Sequence, residues 1–181
     1  AIKNNKADKE LLFLLYNLKG DFFIEKNEFK KGFNSFEKAL DFVNSKSKKT
    51  MLYSKLAYIS ESNNMFQKSA EYLDKVQIFS NNSETKIEAF RKWLAAMKKL
   101  KQYEKIILKI EDKINSSEFD SEKLKDEFNM ELAIVYMDNK EFIKAKNLFN
   151  DIINNSNQKK IKCESYYWLG HISLMQEFDL E

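Results

Sequence analysis

The stretch LAIVYMDNKEFIKAKNLFNDI, residues 132–152, carries the pattern that decides the fold. An apolar run with a small residue, Ala133, is followed nine residues later by an aromatic residue, Phe142, which comes directly after a short polar segment. From Phe142, steps of three and then four residues lead to Ala145 and Phe149. Because such steps return to the same side of an α-helix, the stretch predicts two helices joined by a short turn, with an apolar stripe on the second.

The same pattern recurs along the chain. The aromatic residue that opens the second helix recurs at intervals of 37, 37, 39 and 36 residues, as Phe29, Phe66, Tyr103, Phe142 and Phe178. The small position of the first helix holds Gly20, Ala57, Leu94, Ala133 and Gly170. A small side chain lets a neighbouring helix approach closely, so we expect tight helix contacts at this position wherever the residue is Gly or Ala. The spacing predicts one domain, 1–181, built from units 13–49, 50–86, 87–125, 126–162 and a partial unit, 163–181.

This arrangement resembles the tetratricopeptide repeat (TPR), whose signature places Leu-Gly, then Tyr, and then Ala, Phe and Ala at helical spacing. The fourth unit matches best, through Leu132, Ala133, Tyr136, Ala145 and Phe149. The resemblance implies an all-α fold, a right-handed solenoid of antiparallel helix pairs. It also implies that the partner is another protein, held as a helix or an extended peptide.

Two departures from the family apply to the whole array. The units are roughly three residues longer than the family's ~34 residues. The proline that usually follows the second helix is absent, and three units carry Asn44, Asn81 or Asn157 there; asparagine can end a helix in the left-handed conformation. Lengthened units of this kind are similar to those of bacterial envelope TPR proteins, the BamD-type outer-membrane assembly lipoprotein and the periplasmic CpoB (YbgF-type) cell-division coordinator. This similarity implies a scaffold for a cell-envelope complex, located in the periplasm or anchored to the outer membrane.

Two alternatives to the envelope scaffold stay open. One is a cytosolic TPR adaptor, including a co-chaperone-like protein, and the other is the regulatory arm of a larger protein. Chaperone-binding TPR domains hold a C-terminal carboxylate in a clamp of Lys and Asn side chains, and the matching positions here include Asn17, Asp21 and Lys55. Because Asp21 would repel a carboxylate, we do not expect a clamp in this register.

Motifs for catalysis and for cofactor binding are not found in the sequence. It has no glycine-rich phosphate loop and no CxxC or HExxH run. His171 is the only histidine, and Cys163, expected to be a buried thiol, is the only cysteine. We therefore expect no enzyme activity and no bound cofactor or metal ion.

Charge and hydropathy limit the partners further. Basic and acidic residues are almost balanced, 31 against 28, and alternate along the chain. Arg91 is the only arginine, whereas a nucleic-acid binder would concentrate its positive charge and favour arginine for phosphate contacts. No apolar run approaches the ~20 residues of a membrane span. We therefore expect no nucleic-acid partner and no membrane span in this segment.

The first helices of a TPR array line its concave side, and three positions of each unit are expected to face inward. They are Asn17, Asp21 and Ile24; Ser54, Tyr58 and Glu61; Arg91, Ala95 and Lys98; Met130, Ile134 and Met137; and Tyr167, His171 and Leu174. This side is polar at the start, basic in the middle and apolar toward the end. An exposed apolar patch with methionines is typical of surfaces that bind helical ligands, although a further helix that covers this end is the alternative. The predicted protein-binding groove consists of Tyr58, Arg91, Lys98, Met130, Ile134, Met137, Tyr167, His171 and Leu174.

Overall fold

The computed structural model describes the backbone of residues 2–116 and 121–178, and the side chains of residues 7–116 and 121–175. Within this part of the chain the structure consists of α-helices joined by short turns, and it contains no strand. The helices group into two compact units, one up to Leu100 and one from Lys101 onward. The single domain predicted over 1–181 stays a prediction. The prediction that Phe178 opens a second helix is wrong, because Phe178 is the last residue of the helix Lys159–Phe178.

Unit 1 contains helices α1 to α5. Their bounds are Ile2–Glu25 for α1, Phe29–Leu40 for α2, Lys46–Ser62 for α3, Phe66–Phe79 for α4 and Ser83–Lys99 for α5. Each helix packs against the next one along the chain. Because the connecting turns are short, consecutive helices run antiparallel. The aromatic residues Phe29 and Phe66 open the second helices α2 and α4, as the spacing predicted.

Unit 2 contains helices α6 to α9. Their bounds are Tyr103–Asn115 for α6, Glu122–Asp138 for α7, Phe142–Asn155 for α8 and Lys159–Phe178 for α9. Here too each helix packs against the next, and α7 also contacts α9. Tyr103 and Phe142 open the second helices α6 and α8. The aromatic positions therefore mark helix starts in both units.

The turn from a first to a second helix always contains a residue with a left-handed backbone. These residues are Asn27, Asn64, Lys101 and Lys140, with φ between 53° and 62°. At Asn27 the hydrogen bonds are those of a Schellman motif, in which Asn27 N donates to Ile24 O (2.9 Å) and Glu28 N donates to Phe23 O (2.8 Å). The aromatic residue follows two positions later, so this turn fixes where the second helix begins.

The ends of the second helices differ from the prediction. The left-handed stops expected at Asn44, Asn81 and Asn157 are wrong, because none of these residues has a positive φ. Extended serines, Ser80, Ser116 and Ser156, end α4, α6 and α8 instead. A serine hydroxyl accepts a hydrogen bond from the backbone two residues on, as Ser80 Oγ does from Asn82 N at 3.1 Å, and this bond turns the chain without a left-handed residue.

At the small position of the first helix, most repeats have a close contact with a neighbouring helix. A Cβ atom at Gly20 would overlap the ring of Phe36 on α2, and Ala57 and Ala133 are buried at 3% and 0% exposure. The prediction of close helix contacts is therefore confirmed at these three residues. It is wrong at Gly170, where a Cβ atom would have no neighbour within 4 Å, because no second helix follows α9 among the described residues.

Two tyrosines, Tyr136 buried and Tyr72 partly buried, connect neighbouring repeats. The hydroxyl of Tyr72 on α4 donates to Glu37 Oε1 on α2 at 3.0 Å, and the hydroxyl of Tyr136 on α7 donates to Glu111 Oε1 on α6 at 2.6 Å. Burial, followed by the hydrogen bond to the carboxylate, raises the pKa of both phenols above the usual range. Both tyrosines therefore stay protonated donors, and each bond holds successive repeats in register.

Candidate functional site

A cleft of about 210 Å³ opens between α3, α4 and α5 in unit 1. Its floor is apolar and consists of Ala57, Leu73, Val76 and Ala89, each at most 4% exposed. Two of these residues are alanines from facing first helices. Because alanine side chains are short, they leave space that larger apolar residues would fill.

The rim of the cleft is polar. It is formed by Ser54, Tyr58 and Glu61 on α3 and by Thr85, Glu88 and Lys92 on α5. Tyr58 leaves 63% of its surface exposed, so its ring is available for contact. Glu88 and Lys92 form an ion pair one helical turn apart, 3.0 Å between Nζ and Oε1. The cleft can therefore hold an apolar side chain on its floor and form hydrogen bonds around it.

Sequence reasoning placed half of this rim. Ser54, Tyr58 and Glu61 were expected to face inward and do line the cleft. The residues from α5 were missed, because Arg91, Ala95 and Lys98 were assigned by the same register as on α3. A cleft between two parallel first helices takes opposite sides of those helices, so α5 contributes a different face. Polar residues two, six and nine positions before Leu94 were the signal that could have identified that face.

The other inward positions of α5 lie outside the cleft. Arg91 and Ala95 are exposed and Lys98 is partly exposed, and none of the three lines the cleft. Their spacing along the helix continues from Glu88, so they extend the exposed side of α5 beyond the rim.

The positions of a carboxylate clamp hold an internal ion pair. Lys55 Nζ donates to both carboxylate oxygens of Asp21, at 2.6 and 2.8 Å, and to Asn17 Oδ1 at 3.0 Å. The ammonium group also lies 4.9 Å from the centre of the Phe36 ring. The ammonium group of Lys55 is therefore already paired within the chain, and the three side chains tie α1 to α3.

The methionines of the predicted groove are not exposed in unit 2. Met130 and Met137 are only 5% and 7% exposed, and Ile134 is partly buried. The expectation that the methionines form an open apolar patch is wrong, because α7 packs against α6, α8 and α9 within this unit. The two methionines belong to the packed interior rather than to a surface.

Comparison of the repeats shows how unit 2 differs at the positions that line the cleft of unit 1. Helices α7, α8 and α9 match α3, α4 and α5 at a constant offset of 76 residues. At six cleft positions the residue in unit 1 is smaller or polar, whereas the residue 76 positions later, in unit 2, is larger and apolar. The pairs are Ser54 and Met130, Glu61 and Met137, Leu73 and Phe149, Val76 and Ile152, Thr85 and Ile161, and Lys92 and Trp168.

The remaining predicted groove residues lie on α9. Tyr167 and Leu174 are 63% and 56% exposed. His171 is partly buried, and its ring centre lies 5.6 Å from that of Trp168. The Nδ1 atom of His171 is buried and has no hydrogen-bond partner among the described residues. Cys163, on the same helix, is exposed, so the expectation of a buried thiol is wrong.

No cluster of three His, Cys, Asp or Glu side chains with metal-binding geometry occurs in the described part of the chain. Over the same residues, no helix is both long and apolar enough to cross a bilayer.

No protein-family model and no curated protein matches the chain. Several solved structures do. The apo form of RapI matches with a TM-score of 0.67 and 17% identity over 93% of this chain, which spans only 50% of RapI. MamA matches with a TM-score of 0.51 and 14% identity, over 89% of this chain and 96% of MamA.

The third match is a structure described as Podospora anserina kinesin light chain nearly identical TPR-like repeats. Its TM-score is 0.56 at 13% identity, over 95% of this chain and 92% of that protein. At such low identities these likenesses show the fold alone. The similarity to BamD-type and CpoB-type proteins stays a prediction, whereas the all-α, TPR-like fold class predicted from the sequence is confirmed.

Proposed function

We propose that this protein is a non-catalytic scaffold that binds a segment of another protein, and that the unit 1 cleft is the principal anchoring point. The observation that carries this proposal is the combination of an apolar floor with a polar, exposed rim. A volume of about 210 Å³ is below the ~300–1,000 Å³ of pockets for small molecules and cofactors. It suits one or two side chains of a peptide.

Tyr58 is the residue that we expect to contribute most to this binding. Exposed tyrosines beside a small apolar pocket are enriched among the residues that dominate interface energies. The ring offers a flat apolar face, and its hydroxyl can form a hydrogen bond at the edge of the contact. The partner is therefore an extended or helical segment that places an aliphatic or aromatic side chain on the cleft floor.

The other predicted groove residues that are exposed or partly exposed add one separate contact within each unit to this proposal. Arg91 and Lys98 on α5 give an added contact of positive charge, and Tyr167, His171 and Leu174 on α9 give a second, mainly apolar contact. In this reading Met130, Met137 and Ile134 support the rigidity of unit 2 and do not touch the partner directly.

The test uses phage-displayed random peptides selected on the immobilised protein. Tyr58→Ala should weaken binding of the selected peptides by roughly tenfold or more, the size expected for an interface anchor. Tyr166→Ala is the matched control, because Tyr166 is 62% exposed against 63% for Tyr58 and does not line the cleft. Equal loss of binding in both variants, or in neither, would refute the cleft as the anchoring point.

The location of the scaffold is a separate part of the proposal. The envelope location rests on the lengthened repeats, and a cytosolic TPR adaptor, or the regulatory arm of a larger protein, fits the same fold equally well. Fractionation of the source cells with an antibody against this chain distinguishes the compartments. Recovery in the envelope fraction supports the envelope scaffold, and recovery in the cytosol rules it out.

A further inference from the structure

Helix α1 carries an exposed apolar stripe that the cleft does not use. Leu11, Leu14, Leu15, Leu18 and Phe22 are 67%, 45%, 56%, 65% and 54% exposed. With steps of three, four and seven residues, all five lie within a sector of about 100° on one side of the helix. The opposite side of α1 packs on α2, through Gly20 and Phe36. The stripe is therefore an exposed apolar face opposite the packed side of α1.

The repeats show what this face does elsewhere in the fold. Counting from the small position of each first helix, Leu15 and Phe22 match residues that are buried in all four of the other repeats, at 5% exposure or less. In those repeats the preceding second helix packs against the first helix, as α2 does on α3 and α8 does on α9. The matching residues are Leu52, Ala89, Phe128 and Ser165 for Leu15, and Ile59, Ala96, Val135 and Ile172 for Phe22. A helix-binding face is thus uncovered on α1 among the described residues.

The stripe is also more apolar than the repeat itself requires. At the position of Leu18 the other first helices carry Lys55, Lys92, Glu131 and Trp168. At the position of Leu14 they carry Met51, Glu88, Glu127 and Glu164. Leucine at both positions widens the apolar face beyond what contacts a neighbouring repeat.

The spacing of the stripe is the same when it is read backwards. The steps from Leu11 to Leu15, Leu18 and Phe22 are four, three and four residues. If two copies of α1 pack antiparallel about a two-fold axis, Leu11 lies opposite Phe22 and Leu15 lies opposite Leu18 of the other copy. An interface that pairs one patch with itself in this way is the isologous contact of a symmetric dimer.

The charges beside the stripe favour the same antiparallel arrangement. Asp8 and Lys26 lie on the same edge of the stripe, near its two ends, and both are exposed. A two-fold axis across the helices places like edges together, so Asp8 of each copy comes next to Lys26 of the other. In a parallel pair Asp8 would lie level with Asp8 and Lys26 level with Lys26, on opposite edges of the contact, so neither charge would lie next to an opposite one.

The exposed area is sufficient for such a contact. The exposed fractions of the five side chains add up to nearly three fully exposed large side chains. At ~150 Å² for each, the exposed area is roughly 450 Å². Two copies then bury about 900 Å² from the stripe alone, and the flanking polar side chains raise this toward the ~1,000 Å² of a specific interface. On these grounds we propose that the protein forms a two-fold symmetric homodimer through antiparallel packing of the α1 stripe.

Light scattering coupled to size-exclusion chromatography tests this proposal, using the whole chain. We expect twice the 21.5 kDa of the chain for the unaltered protein, and the single-chain mass for Leu15→Glu and Leu18→Glu. Leu108→Glu is the matched control, because Leu108 is 68% exposed and lies on α6; this variant should remain dimeric. Circular dichroism should be the same in all four proteins.

Charge reversal then tests the direction of packing. Asp8→Lys alone should weaken the dimer severalfold, and Asp8→Lys combined with Lys26→Asp should restore it. The proposal is overturned if the unaltered protein is monomeric. A monomeric protein whose stripe binds an added amphipathic helical peptide overturns it as well. It is equally overturned if Leu18→Glu stays dimeric or if the double charge reversal fails to restore the dimer. The test does not involve the cleft, so its outcome is independent of the function proposed above.

Discussion

Unit 1 and unit 2 arrange three consecutive helices in the same order, yet six of the positions that line the open cleft of unit 1 hold larger apolar side chains in unit 2. In unit 1 the residues on α3 and α5 that face the cleft are short or polar, such as Ser54, Glu61 and Thr85. In unit 2 the matching residues are Met130, Met137 and Ile161, all buried. The comparison teaches that the repeat specifies the helix arrangement, whereas a few side chains at fixed positions decide whether a site exists between the helices.

The largest expected effect comes from exchanging one position between the units. Met137→Glu should lower the free energy of unfolding by about 3 kcal/mol or more, because it places a carboxylate in a buried apolar position. Glu61→Met, at the matching exposed position, should change it by less than about 0.5 kcal/mol. Chemical denaturation followed by circular dichroism measures both. Similar changes in the free energy of unfolding for the two variants would mean that positions 61 and 137 are equally exposed or equally buried.

A smaller effect is expected from enlarging a side chain at the small position. Ala133→Leu should cost about 1–3 kcal/mol, because Ala133 is completely buried and has no room for added carbon atoms. Ala95→Leu on the exposed side of α5 is the control and should be nearly neutral. Thermal unfolding compares the two, and an unchanged melting temperature for Ala133→Leu would show that the repeat register is misassigned.

Two glycines at the same repeat position are expected to respond with opposite signs. Gly20→Ala should destabilise the protein by roughly 1 kcal/mol or more, because the added methyl group meets the ring of Phe36. Gly170→Ala should stabilise α9 by about 0.5–1 kcal/mol, because the methyl group has open space and alanine favours the helix. Denaturation midpoints of the two variants measure this difference. Destabilisation by Gly170→Ala would indicate a close neighbour at that position.

Much of the fold could be predicted from the sequence because the repeat controls it. The aromatic residue at each second-helix start and the small position of each first helix recur at nearly constant spacing, although Leu94 fills the small position of the third repeat. Packing of antiparallel helices uses both positions. Gly170 was the exception, because its predicted neighbour would be a second helix that the described residues do not contain. Local spacing therefore predicts contacts within a helix pair better than contacts at the end of an array.

The site was harder to predict, for two physical reasons. A cleft between helices takes opposite faces from its two walls, so one register applied to every first helix found Tyr58 but missed Lys92. Exposure depends on what lies across the cleft, so Met130 and Met137 looked like an apolar surface in the sequence and proved to be interior. The stripe on α1 was also overlooked, because its residues resemble core residues until the missing neighbour is recognised.

The most direct test of the central claim is to fill the unit 1 cleft with the side chains that fill its counterpart in unit 2. The double variant Ser54→Met and Glu61→Met places methionine at both positions, and binding of the display-selected peptides is measured by calorimetry together with the melting temperature. The account predicts that peptide binding is lost while the melting temperature is unchanged or higher. Peptide binding at full strength in this folded variant would contradict the claim that the unit 1 cleft is the binding site.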